Sequence, residues 1–194
     1  AITVLASDTI TNIQTLLTAG NDTDQFAADS FGSLTGVTVS DETLDGSKLA
    51  DAIDQANLAT EDTSVVFTIS DATTIEGSEA NFTALLTDDG NDQIDIDAQN
   101  LSVSGTISVE NANLLDVATE GTITAAIDTD ETVETLKTLT GTTHAYTIVI
   151  AAGDAETTTA ADLNTINGKT TGTIDASAIT VLASDTITNI QTLL

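Results

Sequence analysis

AITVLASDTITNIQTLL occupies residues 1–17 and returns without a change at residues 178–194. Seventeen identical residues do not recur by chance, so the offset of 177 residues is a repeat period. Internal repeats decide the architecture before any local pattern does. The expectation is a window on a longer tandem array. Residues 1–177 form one full period and residues 178–194 open the next.

The segment also carries a shorter pattern: alternating residues Ile2-Thr3-Val4, the caps Ser7-Asp8, then Ile10, Ile13, Leu16 and Leu17 at helical spacing. The pattern returns six times. Unit two has Val37-Thr38-Val39, cap Ser47, then Leu49, Ala52, Ile53 and Ala56. Unit three has Phe67-Thr68-Ile69, cap Ser78, then Phe82, Leu85 and Leu86, ending at Gly90. Unit four has Ile107-Ser108-Val109, then Ala112 and Leu115, ending at Gly121. Unit five runs from Thr122-Ile123-Thr124-Ala125 through caps at Asp128 to Asp130 to Val133, Leu136 and Leu139. Unit six runs from the Tyr146 strand through caps at Thr157 or Thr158 to Ala160, Leu163 and Ile166. Ile179-Thr180-Val181 then restarts unit one. Residues 111–125 (NANLLDVATEGTITA) resemble residues 160–176 (AADLNTINGKTTGTIDA).

Six units average about 30 residues, inside the range of solenoid repeats. Each helix is too short to stand alone and needs its neighbours. A strand, a helical crossover and the next strand favour parallel pairing. The expected fold is α/β: a repetitive solenoid of short parallel strands and short helices. The spacing is uneven, about 30 residues between units two and three but about 16 between four and five. The rival is therefore a string of tandem compact β-rich domains.

Composition narrows the function. Hydrophobic residues make up 40% of the chain, enough for a core, but aromatics are only 3%, so aliphatic residues must fill it. The 39 threonines suit strands, caps and turns. Thirty-one acids stand against Lys48, Lys137 and Lys169, a net charge of −28. Nothing could neutralise phosphates, which argues against nucleic acid and against anionic membrane surfaces. No apolar run reaches the roughly 18 residues of a span, so membrane insertion is not expected. The chain has no cysteine, hence no disulfide, thiolate metal site or cysteine nucleophile.

Two turns share Gly-Asn-Asp: one at Gly20 to Phe26 with Asp22 and Asp24, the other around Gly90 with Asp88, Asp89, Asp92 and Asp95. Each resembles half of the glycine/aspartate nonapeptide of calcium-binding RTX repeats. Clustered carboxylates and carbonyls supply the roughly six to eight oxygens that calcium takes. These six aspartates are the candidate metal ligands, calcium the candidate cofactor. The plainer alternative for either loop is an Asx turn after a helix end. Alternation in Gln93-Ile94-Asp95-Ile96-Asp97 reads as a strand with one solvated face. His144 is the only histidine; it allows no zinc cluster and reads as structural. No nucleophile elbow, P-loop or G-x-G-x-x-G is present, and no catalytic residue is assigned. Distant acids could converge for glycoside hydrolysis, but aromatics to line a glycan cleft are scarce.

Residues 160–182, residues 111–127 and YTIVI at 146–150 look like the repeats of giant tandem-repeat bacterial cell-surface proteins, best known from marine cyanobacteria. The resemblance covers most of the chain. It implies an extracellular, cell-attached or filament-forming protein that associates with copies of itself, often beside calcium-binding segments, and it transfers no catalysis. The expected function is a structural repeat of a filament, surface layer or adhesin. The alternatives are a calcium-rigidified adhesin stalk of discrete domains and, more remotely, an acid-based glycan-degrading enzyme.

Overall fold

Thr9 starts the first helix. Its backbone is extended and its hydroxyl accepts the N–H of Asn12 at 3.4 Å. Helix α1 (Ile10–Gly20) then turns Ile10, Ile13 and Leu17 inward. The strand β1 (Val4–Asp8) lies before it. The same order recurs through this computed structural model, which describes residues 2–21, 30–60 and 65–193. Strands β2 (Gly36–Val39) and β3 (Thr43–Asp45) precede α2 (Gly46–Thr60). Strands β4 (Val66–Ile69) and β5 (Thr74–Ser78) precede α3 (Glu79–Gly90). Strand β6 (Asn100–Ile107) precedes α4 (Val109–Ala118), and β7 (Ile123–Ile127) precedes α5 (Val133–Leu136). Strand β8 (Ala145–Val149) and a 3₁₀ turn (Ala152–Asp154) precede α6 (Ala160–Asn167). Strand β9 (Ile174–Asp175) precedes α7 (Ile187–Leu193).

The chain forms two compact units, 1–102 with 118–121, and 103–117 with 122–194. In the first, β1, β2 and β4 form a parallel sheet in that order, and β3 pairs in parallel with β5. Val37 stands opposite Phe67, and Leu44 opposite Ile75. The helices supply the crossovers that parallel strands require. Helix α1 packs on α2 and α2 on α3. Val37, Phe67, Leu44 and Ile75 from the strands meet Leu49, Ile53, Phe82 and Leu85 from the helices in a core closed to solvent.

In the second unit β7, β8 and β9 run parallel in sequence order, with Thr124 opposite Ala145 and Ile148 opposite Ile174. Ile123, Ile127, Tyr146, Ile148, Leu136 and Ile166 are buried there, and α7 packs on α6. No helix among the described residues is long and apolar enough to cross a membrane.

The kinship of residues 111–125 and 160–176 has a physical cause. Thr119 Oγ1 donates to Gln99 O at 2.6 Å and accepts the Gly121 N–H at 2.9 Å. Thr170 Oγ1 does the same with Tyr146 O at 2.7 Å and Gly172 N at 2.8 Å. A Cβ on Gly121 would lie 2.2 Å from Gln99 O, and one on Gly172 would lie 2.3 Å from Tyr146 O. Each Thr-x-Gly thus clasps the backbone of the preceding unit, and only glycine fits that approach.

The α/β class with parallel strands is as expected, but several local readings are corrected. Ser47 does not cap α2; Asp45 Oδ1 accepts the Ser47 and Lys48 N–H groups instead. Thr132, not Asp128 to Asp130, caps α5, and Thr159 caps α6 in a reciprocal box with Asp162. Val109 is the first residue of α4, not the end of a strand. Ile107, read as the start of unit four, is the last residue of the longer strand β6, which also carries Leu101 and Val103 and where Gly105 has φ +82°. The pattern gave no sign of β3 or β5. Ile179-Thr180-Val181 forms no strand, although the identical first copy reaches β1.

Candidate functional site

The end of α3 makes the most concentrated acidic feature among the described residues. Asn91 closes the helix, its N–H donating to Thr87 O and Asp88 O at 3.1 and 3.2 Å. Asp92 takes φ +59°, a left-handed backbone that aspartate tolerates better than most residues. The chain reverses there, and Gln93 N–H returns to Asp88 O at 2.9 Å. The Gln93 side chain is buried and makes a reciprocal amide pair with Asn57, at 2.6 and 3.3 Å. Ile94 bridges to Phe67. Residues 93–97 alternate as expected, with Ile94 and Ile96 buried and Asp95 and Asp97 exposed, but only that bridge forms and no full strand.

This turn and β4 border a cleft of about 620 Å³. Asp89, Asp92, Asp95 and Asp97 line it beside Gln99. Burial pushes the Asp89 carboxyl up; the Ile96 N–H opposes the shift, and the charges of Asp95, Asp97 and Asp92 add to it. The Gln99 Oε1 is buried without a hydrogen-bond partner among the described residues. Asp88 lies on the other side of the helix end. Burial first, and then the charge of Asp54 on α2, push it up to about 6.

The expected ligand set is thus divided. Asp89, Asp92 and Asp95 share a cleft, Asp88 faces α2, and Asp97 joins the cleft although sequence reasoning left it in a strand. The alternation of residues 93–97, which turns Asp95 and Asp97 outward together, was the available signal for Asp97. Asp22 and Asp24 lie outside the described residues. Among the described residues no three carboxylate or imidazole groups are gathered to hold a metal ion. The donors around the cleft are all oxygens, which suits calcium chemically.

His144 is committed to structure. Its Nδ1 accepts the Ile123 N–H at 3.1 Å and its Nε2 lies 2.6 Å from Asp116 Oδ1. The ring proton therefore sits on Nε2 and is donated to Asp116. Burial alone would raise the Asp116 carboxyl, but bonds from His144 and Thr140 outweigh it and hold it below its ordinary value. The Tyr146 ring packs on His144 at 5.4 Å, and its hydroxyl is buried without a partner among the described residues. With both ring nitrogens engaged in the interior, His144 has none left to activate a nucleophile.

A second use of acid escaped the sequence reading. Asp41 Oδ2 accepts the N–H of Ile10, the first residue of α1, at 2.6 Å. Glu131 Oε1 accepts from Val109 at the start of α4 at 2.9 Å. Asp154 Oδ2 accepts from Val133 at the start of α5 at 3.0 Å. Asp185 Oδ2 accepts from Ala161, beside the start of α6, at 2.7 Å. In each case the carboxylate comes from the next unit along the chain. It satisfies an orphan donor and sits at the positive end of the helix dipole. Only the folded chain, which brings residues 21 to 31 positions apart together, places these acids.

Compared with protein-family models, curated proteins and solved structures, the chain finds no match.

Proposed function

We propose that this chain is a structural repeat of an extracellular filament, surface layer or adhesin, with units stacked as a solenoid and periods joined copy to copy. The observation that carries this reading is the set of carboxylates reaching back from the next unit to cap the helix before it. Parallel pairing of successive strands, the Thr-x-Gly clasps and the verbatim recurrence of residues 1–17 support it. The mechanism is mechanical: backbone ladders, clasps and caps all run along the stacking direction, and each unit holds its neighbour. The acidic exterior keeps such an array soluble and apart from its neighbours. An extracellular setting is inferred from the likeness to giant bacterial surface proteins. No catalysis is part of this reading.

The calcium-rigidified stalk is the second reading, favoured by the cleft that Asp89, Asp92, Asp95 and Asp97 share beside the Gln99 Oε1, which is buried without a partner among the described residues. Calcium there would draw the exposed carboxylates inward and relieve their mutual repulsion.

Imaging the assembled protein by electron microscopy, with and without a calcium chelator, tests both. A smooth fibre is expected to persist under chelation if backbone ladders and caps hold it. A fibre that dissolves under chelation would move calcium into the mechanism. Separate globules on a flexible string would overturn the stacked reading.

A further inference from the structure

Residues 1–17 and 178–194 are one sequence in two surroundings. In the first copy Ile10 and Ile13 are each 2% exposed, because α2 covers that face of α1. In the second copy the equivalent Ile187 is 69% exposed, and Ile190 is half-buried. The second copy instead uses its other side. Asp185 receives the Ala161 N–H, Ala183 N–H donates to Thr158 O at 2.9 Å, and Asn189 O accepts from the Asn164 side chain at 2.9 Å. On the first copy that other side is open. Leu5, Ala6, Asp8, Asn12 and Leu16 line a groove of about 220 Å³ there, which reaches as far as Ile13 at the border of the covered face. Asp8 and Asn12 in the groove correspond to Asp185 and Asn189. Asp8 Oδ1 is used locally by Thr9 and Asn12, while its Oδ2 carries no bond among the described residues.

We infer that the seventeen-residue segment is a two-faced coupler whose exposed face, Ile187 and Ile190, is covered by a second copy of α2. The occupant is specified by the first copy. A copy of Asp41 caps Ile187, as Asp41 caps Ile10. A copy of Asp51 accepts from Gln191, as Asp51 accepts from Gln14 at 3.1 Å. A copy of Lys48 donates to Thr188, as Lys48 donates to Thr11 at 3.0 Å. By the same symmetry the groove at Asp8 seats a copy of residues 158–164. One segment then serves two neighbours, so each join between periods needs only one such segment. This inference rests on the stacked-repeat reading and names its contact face.

The test extends the full chain beyond Leu194 by a copy of residues 18–60, so that both copies of the segment run on into the same sequence. The chain has no native cysteine, so Ile187→Cys gives a single reporter thiol whose small apolar side chain keeps the face. Its labelling rate is expected to be fast in the 194-residue chain and at least about tenfold slower in the extended chain, as burial demands local opening. A second reporter replaces the leucine of the appended copy that corresponds to Leu49, and it is expected to be protected too. Unchanged labelling at position 187 with the second thiol protected would show that α2 packs elsewhere. Free labelling at both would show that the segment does not seat a copy at all. Either result overturns the inference. A fibre seen by microscopy with position 187 still reactive would leave the filament reading standing and remove only this face.

Discussion

Gly172 has no room for a methyl group, because its Cβ would strike the Tyr146 carbonyl oxygen at 2.3 Å. Gly172→Ala is expected to cost about 2–4 kcal/mol, since backbone must move on both sides. Gly90, the last residue of α3, has open space around its Cβ position and no left-handed φ. Gly90→Ala is expected to stabilise by about 0.5–1 kcal/mol. Thermal melts of the two variants check both signs. Sequence reasoning took Gly90 as a helix stop and gave Gly172 no role, because what makes Gly172 special is the Tyr146 carbonyl that lies beside it. Asp88 gives a pH signature. Its folded-state carboxyl is raised to about 6, first by burial and then by Asp54. The unfolded chain releases that proton earlier, so this group lowers stability as pH climbs from about 4 to about 6, and the deficit is complete above that window. Asp88→Asn is expected to stabilise by about 1–2 kcal/mol at pH 7.5, a figure reduced for partial solvent screening, and by nothing below pH of about 4. Denaturant melts at the two pH values decide it.

At the scale of the element, helices were legible and short strands were not. Ile10, Ile13 and Leu17 on α1, and Leu49, Ala52, Ile53 and Ala56 on α2, are buried as their spacing predicts. Strands β3 (TLD) and β5 (TIEGS) each carry a single large apolar residue, Leu44 and Ile75, so no alternation can register. Their identity comes from pairing with one another, Leu44 against Ile75. Caps were half-legible. Ser78 and its partner Asn81 form a local box readable within four residues, whereas Glu131 caps Val109 from 22 residues away. The identical segment that forms β1 in one copy and no strand in the other makes the same point: β1 exists because β2 lies beside it. Glu131→Ala is therefore expected to lose about 0.5–2 kcal/mol. Asp130→Ala, which removes the same charge from an exposed side chain, is expected to stay within about 0.5 kcal/mol of the parent. Parallel chemical denaturation of the pair separates capping from relief of charge repulsion.

At the scale of the molecule, the repeat and the acidity were plain in the sequence, and the meaning of the acidity was not. A net charge of −28 suggested solvation and calcium. Four of the carboxylates prove to be caps between units. Of the four candidate ligands near Gly90, Asp89, Asp92 and Asp95 line one cleft together with Asp97, and Asp88 does not. That division depends on which side of the α3 terminus each side chain leaves, and residue spacing alone does not carry it. The central claim is that units stack one strand apart along a single axis. It is tested most directly by the axial rise per 177-residue period in the assembled protein, measured from the layer lines of aligned fibres. Six strands at about 4.8 Å give an expected rise near 29 Å. A rise of about 40 Å or more, the diameter of a globular domain of this length, would contradict the account and make each period a separate bead.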